Sequence, residues 1–176
     1  MTIIFASRLV AYKNLPFVFN AIASIKARRL RPEGAVFTVM GSGPEEQNLL
    51  ALRRTLGLEN EVSMLGSVTE ERVRQETENC ALALAPALTE FSPNYVLRAL
   101  ALGKPLLVSK ENGLSFKLPE NFVFEAQDTN DFETKILWLL GHPKEAKSLV
   151  KAIHNLPKWQ DVILSNVELV KNTLSP

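Results

Sequence analysis

The amino-acid sequence predicts an α/β fold in which a parallel six-stranded sheet is doubly wound, with helices on both faces and a helical C-terminal part. Six short apolar segments alternate with single segments that carry helix-start and helix-stop signals. Strands separated by single helices form parallel sheets with right-handed crossovers. The chain has 176 residues, of which 46% are apolar and 22% charged, as is typical of one globular domain with a sizeable core.

The strands are predicted from apolar runs of strand length that end at turn residues. The first run is almost wholly apolar, which is typical of a strand buried on both faces, and the fourth consists of small apolar residues. The six predicted strands cover residues 2–6, 35–40, 61–65, 81–85, 106–109 and 122–125.

The first four helices are predicted from the residues at their ends. Polar residues, acidic residues or proline stand at the starts, and glycine stands at most of the ends. The predicted starts are Asn14, Glu45 with Glu46, Thr69, and Ser92 with Pro93, and the predicted ends are residue 29, Gly57, Cys80, and Gly103 with Pro105.

The C-terminal part is predicted to be helical from about Asn130. Asn130 and Glu133 have the spacing of a capping box, in which each side chain accepts a hydrogen bond from the other residue's backbone N–H. Pro143 and Pro157 divide this part into three helices, because proline is tolerated at a helix start and not inside a helix. With these helices beside the sheet, the predicted architecture is Rossmann-like.

Composition excludes several classes of protein. Twenty basic and nineteen acidic residues leave a formal charge of +1, which excludes a broad basic surface for nucleic acid. Cys80 is the only cysteine, so no intrachain disulfide forms, a reducing compartment is indicated, and a buried apolar role is expected. No apolar run approaches the ~20 residues of a membrane span. No histidine or cysteine cluster has metal-ligand spacing. We expect His142 and His154 to be surface or core residues, and Trp138 and Trp159 to be core residues.

Ligands of doubly wound sheets bind beyond the carboxyl ends of the strands, so the loops that follow the strands are the places to look for a site. The loop after the first strand carries Arg8 and Lys13. Two cations at one strand end suit a diphosphate, which arginine holds with a planar fork and lysine as a point charge. The alternative is that both are solvated surface cations.

The loop after the second strand is Gly41-Ser42-Gly43-Pro44. It allows a close backbone approach and precedes a helix N-terminus, which favours an anion, or it is a tight structural turn. It does not fit a dinucleotide-binding fingerprint, because the third glycine would fall at Glu46.

The loop after the fourth strand contains Glu90 and Ser92. Ser92 and the first backbone N–H groups of the following helix are suited to a phosphate, and the Glu90 carboxylate is suited to sugar hydroxyls. The alternatives are a simple N-cap for Ser92 and a solvated side chain for Glu90.

Four motifs occur in one order along the chain, and together they resemble the C-terminal, donor-binding domain of GT-B-fold retaining glycosyltransferases of family four (glycosyl transferases group 1). The resemblance covers nearly the whole chain, from Phe5 to Trp159. The motifs are Arg8-Leu9 with Lys13-Asn14, then Gly41-Ser42-Gly43-Pro44-Glu45 with Leu49, then Val62-Ser63-Met64-Leu65-Gly66, and finally Glu90 followed by Pro93-Asn94, Arg98-Ala99 and Gly103-Lys104-Pro105.

The chain departs from the family pattern at one position. The second glutamate of the signature, eight positions after Glu90, is replaced by Arg98. In the family that glutamate resembles an acceptor for ribose hydroxyls, and arginine cannot accept a hydrogen bond. The ribose contact is therefore lost or rebuilt, and Arg98 either reaches a phosphate or pairs with a carboxylate such as Glu90.

The resemblance implies a role for each loop. Arg8 and Lys13 would stabilise the leaving diphosphate, and Glu90 would bind the donor sugar. The backbone near Leu65 and Val68 would clamp the base. Further donor-binding residues would be Gly41, Ser42, Gly43, Ser92, Pro93, Asn94, Tyr95 and Arg98. The family requires no metal or other cofactor for this chemistry beyond the donor, which is expected to be a UDP- or GDP-sugar.

The resemblance also implies that residues 1–176 form one nucleotide-sugar-binding domain and about half of a two-domain enzyme. The expected partner is an N-terminal acceptor-binding domain of the same parent protein, without which the isolated domain is expected to be inactive. The expected location is cytoplasmic, with peripheral contact to the inner membrane face through the other half, and no nucleic acid is expected to bind. The alternatives are a catalytically degenerate binding or scaffold module and a generic Rossmann-like domain for another ligand.

Overall fold

The fold is known from a computed structural model that describes residues 1–91 and 93–153. Its strands are β1 (Thr2–Ala6), β2 (Val36–Met40), β3 (Val62–Met64), β4 (Leu82–Ala85), β5 (Leu106–Ser109) and β6 (Val123–Phe124). Its α-helices are α1 (Leu15–Ala27), α2 (Glu46–Thr55), α3 (Glu70–Asn79), α4 (Asn94–Ala101), α5 (Thr129–Gly141) and α6 (Pro143–Lys151). Short 3-10 helices lie at Ala11–Lys13, Ser115–Lys117 and Glu120–Phe122.

The strands form one six-stranded sheet in the order β3-β2-β1-β4-β5-β6, and every pair of neighbours is parallel. This order confirms the predicted Rossmann-like, doubly wound α/β architecture. The predicted strands all occur, and their ends differ from the prediction by at most one residue.

Both faces of the sheet are covered by packed side chains. Successive residues of a strand point to opposite faces, and in β1 both sets are buried. Ile3 and Phe5 belong to the larger core cluster, whereas Ile4 packs with Met40 and Cys80 in a smaller one. On one face α1 contacts both α2 and α5. Residues of α3 and α4 pack against the smaller cluster, which places these two helices on the other face.

The smaller cluster contains two titratable groups that burial keeps neutral. Cys80 is 5% exposed, which confirms the predicted buried role, and burial raises the pKa of its thiol to about 11. The hydroxyl of Tyr95 donates a hydrogen bond to the carbonyl oxygen of Ile4 at 3.0 Å, and burial raises the pKa of Tyr95 as well. Tyr95 thereby fixes the first turn of α4 on β1.

The predicted capping box at the start of α5 is wrong. The helix begins earlier, and the side chain of Asp128 accepts a hydrogen bond from the N–H of Asp131 at 3.0 Å. Asn130 therefore lies inside the first turn. Glu133 faces the core, where it is 4% exposed and pairs with Arg28 beyond the end of α1.

The other predicted helix starts agree with the structure in position. Thr69 caps α3 by accepting from the N–H of Arg72 at 3.2 Å. Asn14 precedes α1, but its φ is 59° and its side chain makes no capping bond; its amide donates instead to the carbonyl oxygen of Ala126 at 3.0 Å. Helix α4 begins just after Pro93, and Ser92 lies outside the described residues.

In the C-terminal part, α6 begins at Pro143 as predicted. Trp138 packs against the core cluster and stacks on the exposed His142, with ring centroids 5.0 Å apart. The helix predicted after Pro157, together with His154 and Trp159, falls outside the described residues. Among the helices of residues 1–91 and 93–153, none combines the length and apolar character that crossing a bilayer requires.

Candidate functional site

The loops that follow β1 and β2 are in direct backbone contact. The N–H of Leu9 donates to the carbonyl oxygen of Ser42 at 2.9 Å. A Cβ atom on Gly41 would lie 1.9 Å from the carbonyl oxygen of Ser7, and one on Gly43 would lie 2.2 Å from that of Leu9. The close approach that these glycines allow is therefore used by the neighbouring loop, which supports the interpretation as a structural turn.

A cleft of about 400 Å³ opens at the carboxyl ends of the central strands. Strands β1 and β4 are neighbours there, and the chain leaves them toward opposite edges of the sheet, β1 leading to β2 and β4 to β5. Such a switch point is where doubly wound proteins bind ligands, because the diverging connections leave a crevice between them.

Nine of the residues predicted for the site line this cleft. They come from the ends of β1, β2, β3 and β4, which the parallel topology brings to one edge. They are Arg8, Lys13, Gly41, Val68, Glu90, Pro93, Asn94, Tyr95 and Arg98.

Three other predicted residues do not line the cleft. Ser42 and Gly43 are in the contact between the first two loops. Leu65 is 42% exposed and lies outside the lining. Ser92, the remaining predicted residue, is not among the described residues.

The two cations of the first loop differ in environment. Lys13 is only 8% exposed, and its ammonium group forms an ion pair with the carboxylate of Glu90. Arg8 is exposed and forms no ion pair within the described part of the chain. Of the two cations of this loop, one therefore has an internal counter-ion and the other is open to a ligand.

Glu90 is positioned by the loop that follows β5. The N–H of Gly113 donates to the carbonyl oxygen of Glu90 at 2.8 Å. A Cβ atom on Gly113 would lie 3.1 Å from the carbonyl oxygen of Phe91, so the two loops are also in tight contact. The side chain of Glu90 is 20% exposed, so it is not the solvated carboxylate of the alternative interpretation.

Arg98 does not pair with Glu90, which was one of the predicted alternatives. Glu90 is already paired with Lys13, and the Nη1 atom of Arg98 lies 2.5 Å from Oε2 of Glu70. This ion pair links the second turn of α4 to the first residue of α3, across one wall of the cleft.

Among the lining residues that were not predicted from the sequence, Glu70 and Asn112 carry polar side chains of particular interest. Glu70 directly follows one of the loops singled out by topology, so extending that loop by one residue would have found it. Asn112 is 2% exposed, and its Oδ1 accepts from the N–H of Leu114 at 3.1 Å. Its Nδ2 has no hydrogen-bond partner among the described residues. No motif marks this position in the sequence.

Within the described residues, no group of three or more histidine, cysteine, aspartate or glutamate side chains is arranged to hold a metal ion. Four of the five charged side chains that line the cleft form pairs of opposite sign, Lys13 with Glu90 and Arg98 with Glu70, whereas Arg8 has no such partner among the described residues.

Two curated proteins are similar to this chain. The gpi3 subunit of phosphatidylinositol N-acetylglucosaminyltransferase from Schizosaccharomyces pombe is 26% identical over 167 residues, which cover 92% of this chain and 36% of that protein. The uncharacterised glycosyltransferase MJ1607 of Methanocaldococcus jannaschii is 28% identical over 112 residues, which cover 64% of this chain and 28% of that protein. The chain thus spans about a third of the length of these relatives.

Solved structures share the fold. The catalytic domain of cholesterol-α-glucosyltransferase from Helicobacter pylori has a TM-score of 0.74 at 22% identity, and the match covers 86% of this chain and 92% of that one. HepE from Anabaena, solved in complex with UDP-glucose, has a TM-score of 0.71 at 19% identity, and the match covers 86% of this chain and 42% of the HepE chain.

The model of one protein family, described as glycosyl transferases group 1, matches residues 1–142. This match covers most of the chain and includes every residue of the cleft. The chain therefore belongs to the glycosyl transferases group 1 family, and its α/β fold is that of a GT-B glycosyltransferase domain.

Proposed function

We propose that the chain binds a nucleoside diphosphate sugar in the cleft and forms the donor-binding half of a two-domain enzyme that transfers the sugar with retention of configuration. The observation that carries this proposal is the position of Arg8 and Lys13. Both line one cleft at the carboxyl end of β1, beside the switch point of the sheet. Two cations at that point match the charge of a diphosphate.

The diphosphate replaces Glu90 as the partner of Lys13. Lys13 is almost fully buried, so its charge requires a counter-ion whether or not a donor is bound. As the sugar leaves, negative charge grows on the diphosphate, and a cation already fixed beside it stabilises the transition state without reorganisation. Arg8 is exposed, so it moves onto the same phosphates when the donor binds.

Displacement from Lys13 leaves Glu90 able to bind the donor sugar. Its carboxylate accepts hydrogen bonds from sugar hydroxyls, and the contact with the loop after β5 keeps it at the mouth of the cleft. The nucleoside extends in the other direction, along Gly41 and Val68 toward the β3 edge. A uridine nucleotide is the first candidate, because the HepE structures contain UDP or UDP-glucose and share this fold.

The acceptor site belongs to the part of the parent protein that this chain does not span. The curated relatives are about three times as long as the matched region, which leaves room for an acceptor-binding domain. The name of the Schizosaccharomyces pombe relative indicates that phosphatidylinositol is the acceptor of that enzyme. We infer a cytoplasmic enzyme whose other half contacts a membrane surface at the inner face.

The test is calorimetric titration of the chain with UDP, GDP and ADP. We expect at least one to bind at millimolar concentration or below, and Arg8→Ala and Lys13→Met to weaken that nucleotide about tenfold each, because each removes a charge-assisted contact. Lys13→Met keeps an unbranched side chain in the buried position. Arg54→Ala, which removes an exposed cation of α2 outside the cleft, is the matched control and leaves affinity unchanged.

Absence of binding by all three nucleotides would refute the donor-site proposal for this chain. Equal losses in Arg8→Ala and in the Arg54→Ala control would show that charge acts through the whole surface and not through a site in the cleft.

A second candidate is a catalytically degenerate module that binds a ligand without transfer. It is favoured by Arg98, which occupies a position where the family resemblance implies an acceptor. Arg98→Glu separates the two candidates. If the substitution raises nucleotide affinity or the slow hydrolysis of a UDP-sugar, the arginine has removed a contact; if neither rises, that contact is supplied by another residue or is not needed.

A further inference from the structure

The cleft contains two carboxylates among the described residues, and they differ in what they offer a ligand. Glu90 is paired with the buried Lys13, and its side chain is only 20% exposed. Glu70 is paired with Arg98 through Oε2, its side chain is 82% exposed, and its Oε1 has no partner within residues 1–91 and 93–153. Glu70 therefore presents a carboxylate oxygen that accepts hydrogen bonds from a ligand without first losing its ion pair.

Arg98 limits the positions that this oxygen takes. The guanidinium group reaches from α4, whose first turn is fixed on β1 by the hydrogen bond between Tyr95 and Ile4. An exposed glutamate at the first position of a helix otherwise has several rotamers. The ion pair at 2.5 Å restricts the Glu70 carboxylate to positions beside Arg98, so that less entropy is lost when a ligand binds.

The place of Glu70 in the fold decides which part of a nucleotide it meets. Arg8 and Lys13 follow β1, whereas Glu70 follows β3, which is two strands away at the edge of the sheet. Adjacent strands are about 4.8 Å apart, so the carboxyl ends of β1 and β3 are separated by roughly 10 Å along this edge of the sheet. A diphosphate on the cations thus directs its nucleoside toward Glu70, across Val68 and Tyr95.

A carboxylate is an acceptor only, so it binds the parts of a nucleoside that donate. Ribose offers two adjacent hydroxyl groups. The lining near Glu70 includes Val68, Val73 and Tyr95, whose apolar surfaces suit the face of a base. When the ribose hydroxyls donate to the carboxylate and the base packs on the apolar residues, the polar and the apolar surfaces of the cleft are both used.

We propose that Glu70, positioned by Arg98, accepts a hydrogen bond from a ribose hydroxyl of the bound nucleotide and makes the cleft selective for a ribonucleotide. The proposal rests on the proposed function and assigns to α3 the contact that the family resemblance implies for position 98, where arginine offers no acceptor.

The experiment compares ribonucleotides with deoxynucleotides. UDP, GDP and ADP are titrated in turn by calorimetry, and the tightest is compared with its 2′-deoxy and 3′-deoxy forms. In the wild-type chain we expect at least one deoxy form to bind about tenfold more weakly, because it lacks the hydroxyl that donates a charge-assisted hydrogen bond to Glu70. In Glu70→Ala we expect the ribonucleotide and both deoxy forms to bind within twofold of each other.

Glu71→Ala is the matched control. Glu71 is the next residue of α3 and has the same charge, but it pairs with Arg74 and lies outside the cleft lining. We expect it to keep the wild-type discrimination. Arg98→Ala should reduce discrimination, since Glu70 is then no longer held, and Arg98→Lys should restore part of it, which a merely structural role of Arg98 would not produce.

The outcomes separate this proposal from the one on which it rests. If no nucleotide binds the wild-type chain, the proposed function fails and this inference fails with it. If a nucleotide binds but the wild-type chain does not discriminate, or if discrimination survives in Glu70→Ala, the role of Glu70 is wrong while the proposed function stands.

Discussion

Gly43→Ala tests whether the contact between the first two loops is a requirement of the fold. The new Cβ atom would lie 2.2 Å from the carbonyl oxygen of Leu9, whereas ordinary contacts begin at 3.4 Å, so the loops must separate by about 1 Å. Leu9 is 1% exposed, and its N–H and carbonyl oxygen bond to Ser42 and Glu45 at 2.9 and 3.1 Å.

The cost follows from these contacts. Two backbone hydrogen bonds at about 1 kcal/mol each are weakened, and the partial exposure of a buried leucine adds about 1 kcal/mol, so we expect the free energy of unfolding to fall by about 2–4 kcal/mol. Urea denaturation followed by circular dichroism measures this difference. Since Arg8 lies in the displaced loop, nucleotide affinity should fall as well.

Gly57→Ala provides the control. Gly57 has a φ of +62°, and no atom lies within 4 Å of the place that a Cβ atom would take, so alanine there costs only the strain of a left-handed conformation, about 1–2 kcal/mol. A Gly43→Ala variant that is no less stable than Gly57→Ala would refute the reasoning, because it would show that the loops separate freely.

Three further predictions concern charged and titratable groups. Glu90→Gln should raise the affinity for UDP about fivefold, equal to about 1 kcal/mol, because Lys13 then has no competing carboxylate; calorimetry measures this, and unchanged affinity would contradict it. Burial raises the pKa of Cys80 from 9.0 to about 11, so the stability from the neutral thiol is full below pH 9 and is lost as the pH rises to 11, by about 2–3 kcal/mol. Urea titrations over this range should show a shallower loss in Cys80→Ala, and an identical slope would exclude the thiol as a cause. Glu133→Leu should raise the free energy of unfolding by about 1 kcal/mol, because Glu133 is 4% exposed and leucine removes the cost of burying its charge. Arg28 is half-exposed, so water solvates its guanidinium group once the carboxylate is gone. A lower stability in urea would show that the ion pair is net stabilising.

Local sequence patterns predicted the strands and helices, and they predicted which residues of the candidate site lie beyond the strand ends. Strand runs and helix ends depend on neighbouring residues, so Thr69 was identified as a cap from its own segment. The carboxyl ends of parallel strands must share an edge, which placed Arg8, Lys13 and Glu90 together before any contact was known.

The prediction of the cap of α5 was wrong because that cap depends on contacts between residues that are distant in the chain. Asp128 and Asn130 are both acceptable N-cap residues, and the choice between them depends on which face of the helix packs against α1. Glu133 faces inward to Arg28, more than a hundred positions away in the chain, and no local pattern encodes that contact.

The sequence by itself determined the α/β class, the alternation of strands and helices, and the edge of the sheet at which the cleft opens, because burial periodicity and helix-end signals depend on residues close together in the chain. Only the tertiary structure decided the pairing within the cleft. Lys13 pairs with Glu90 and Arg98 with Glu70 because side chains from separate loops converge there, and the partner that a charge finds depends on distances across the sheet that spacing along the chain does not specify.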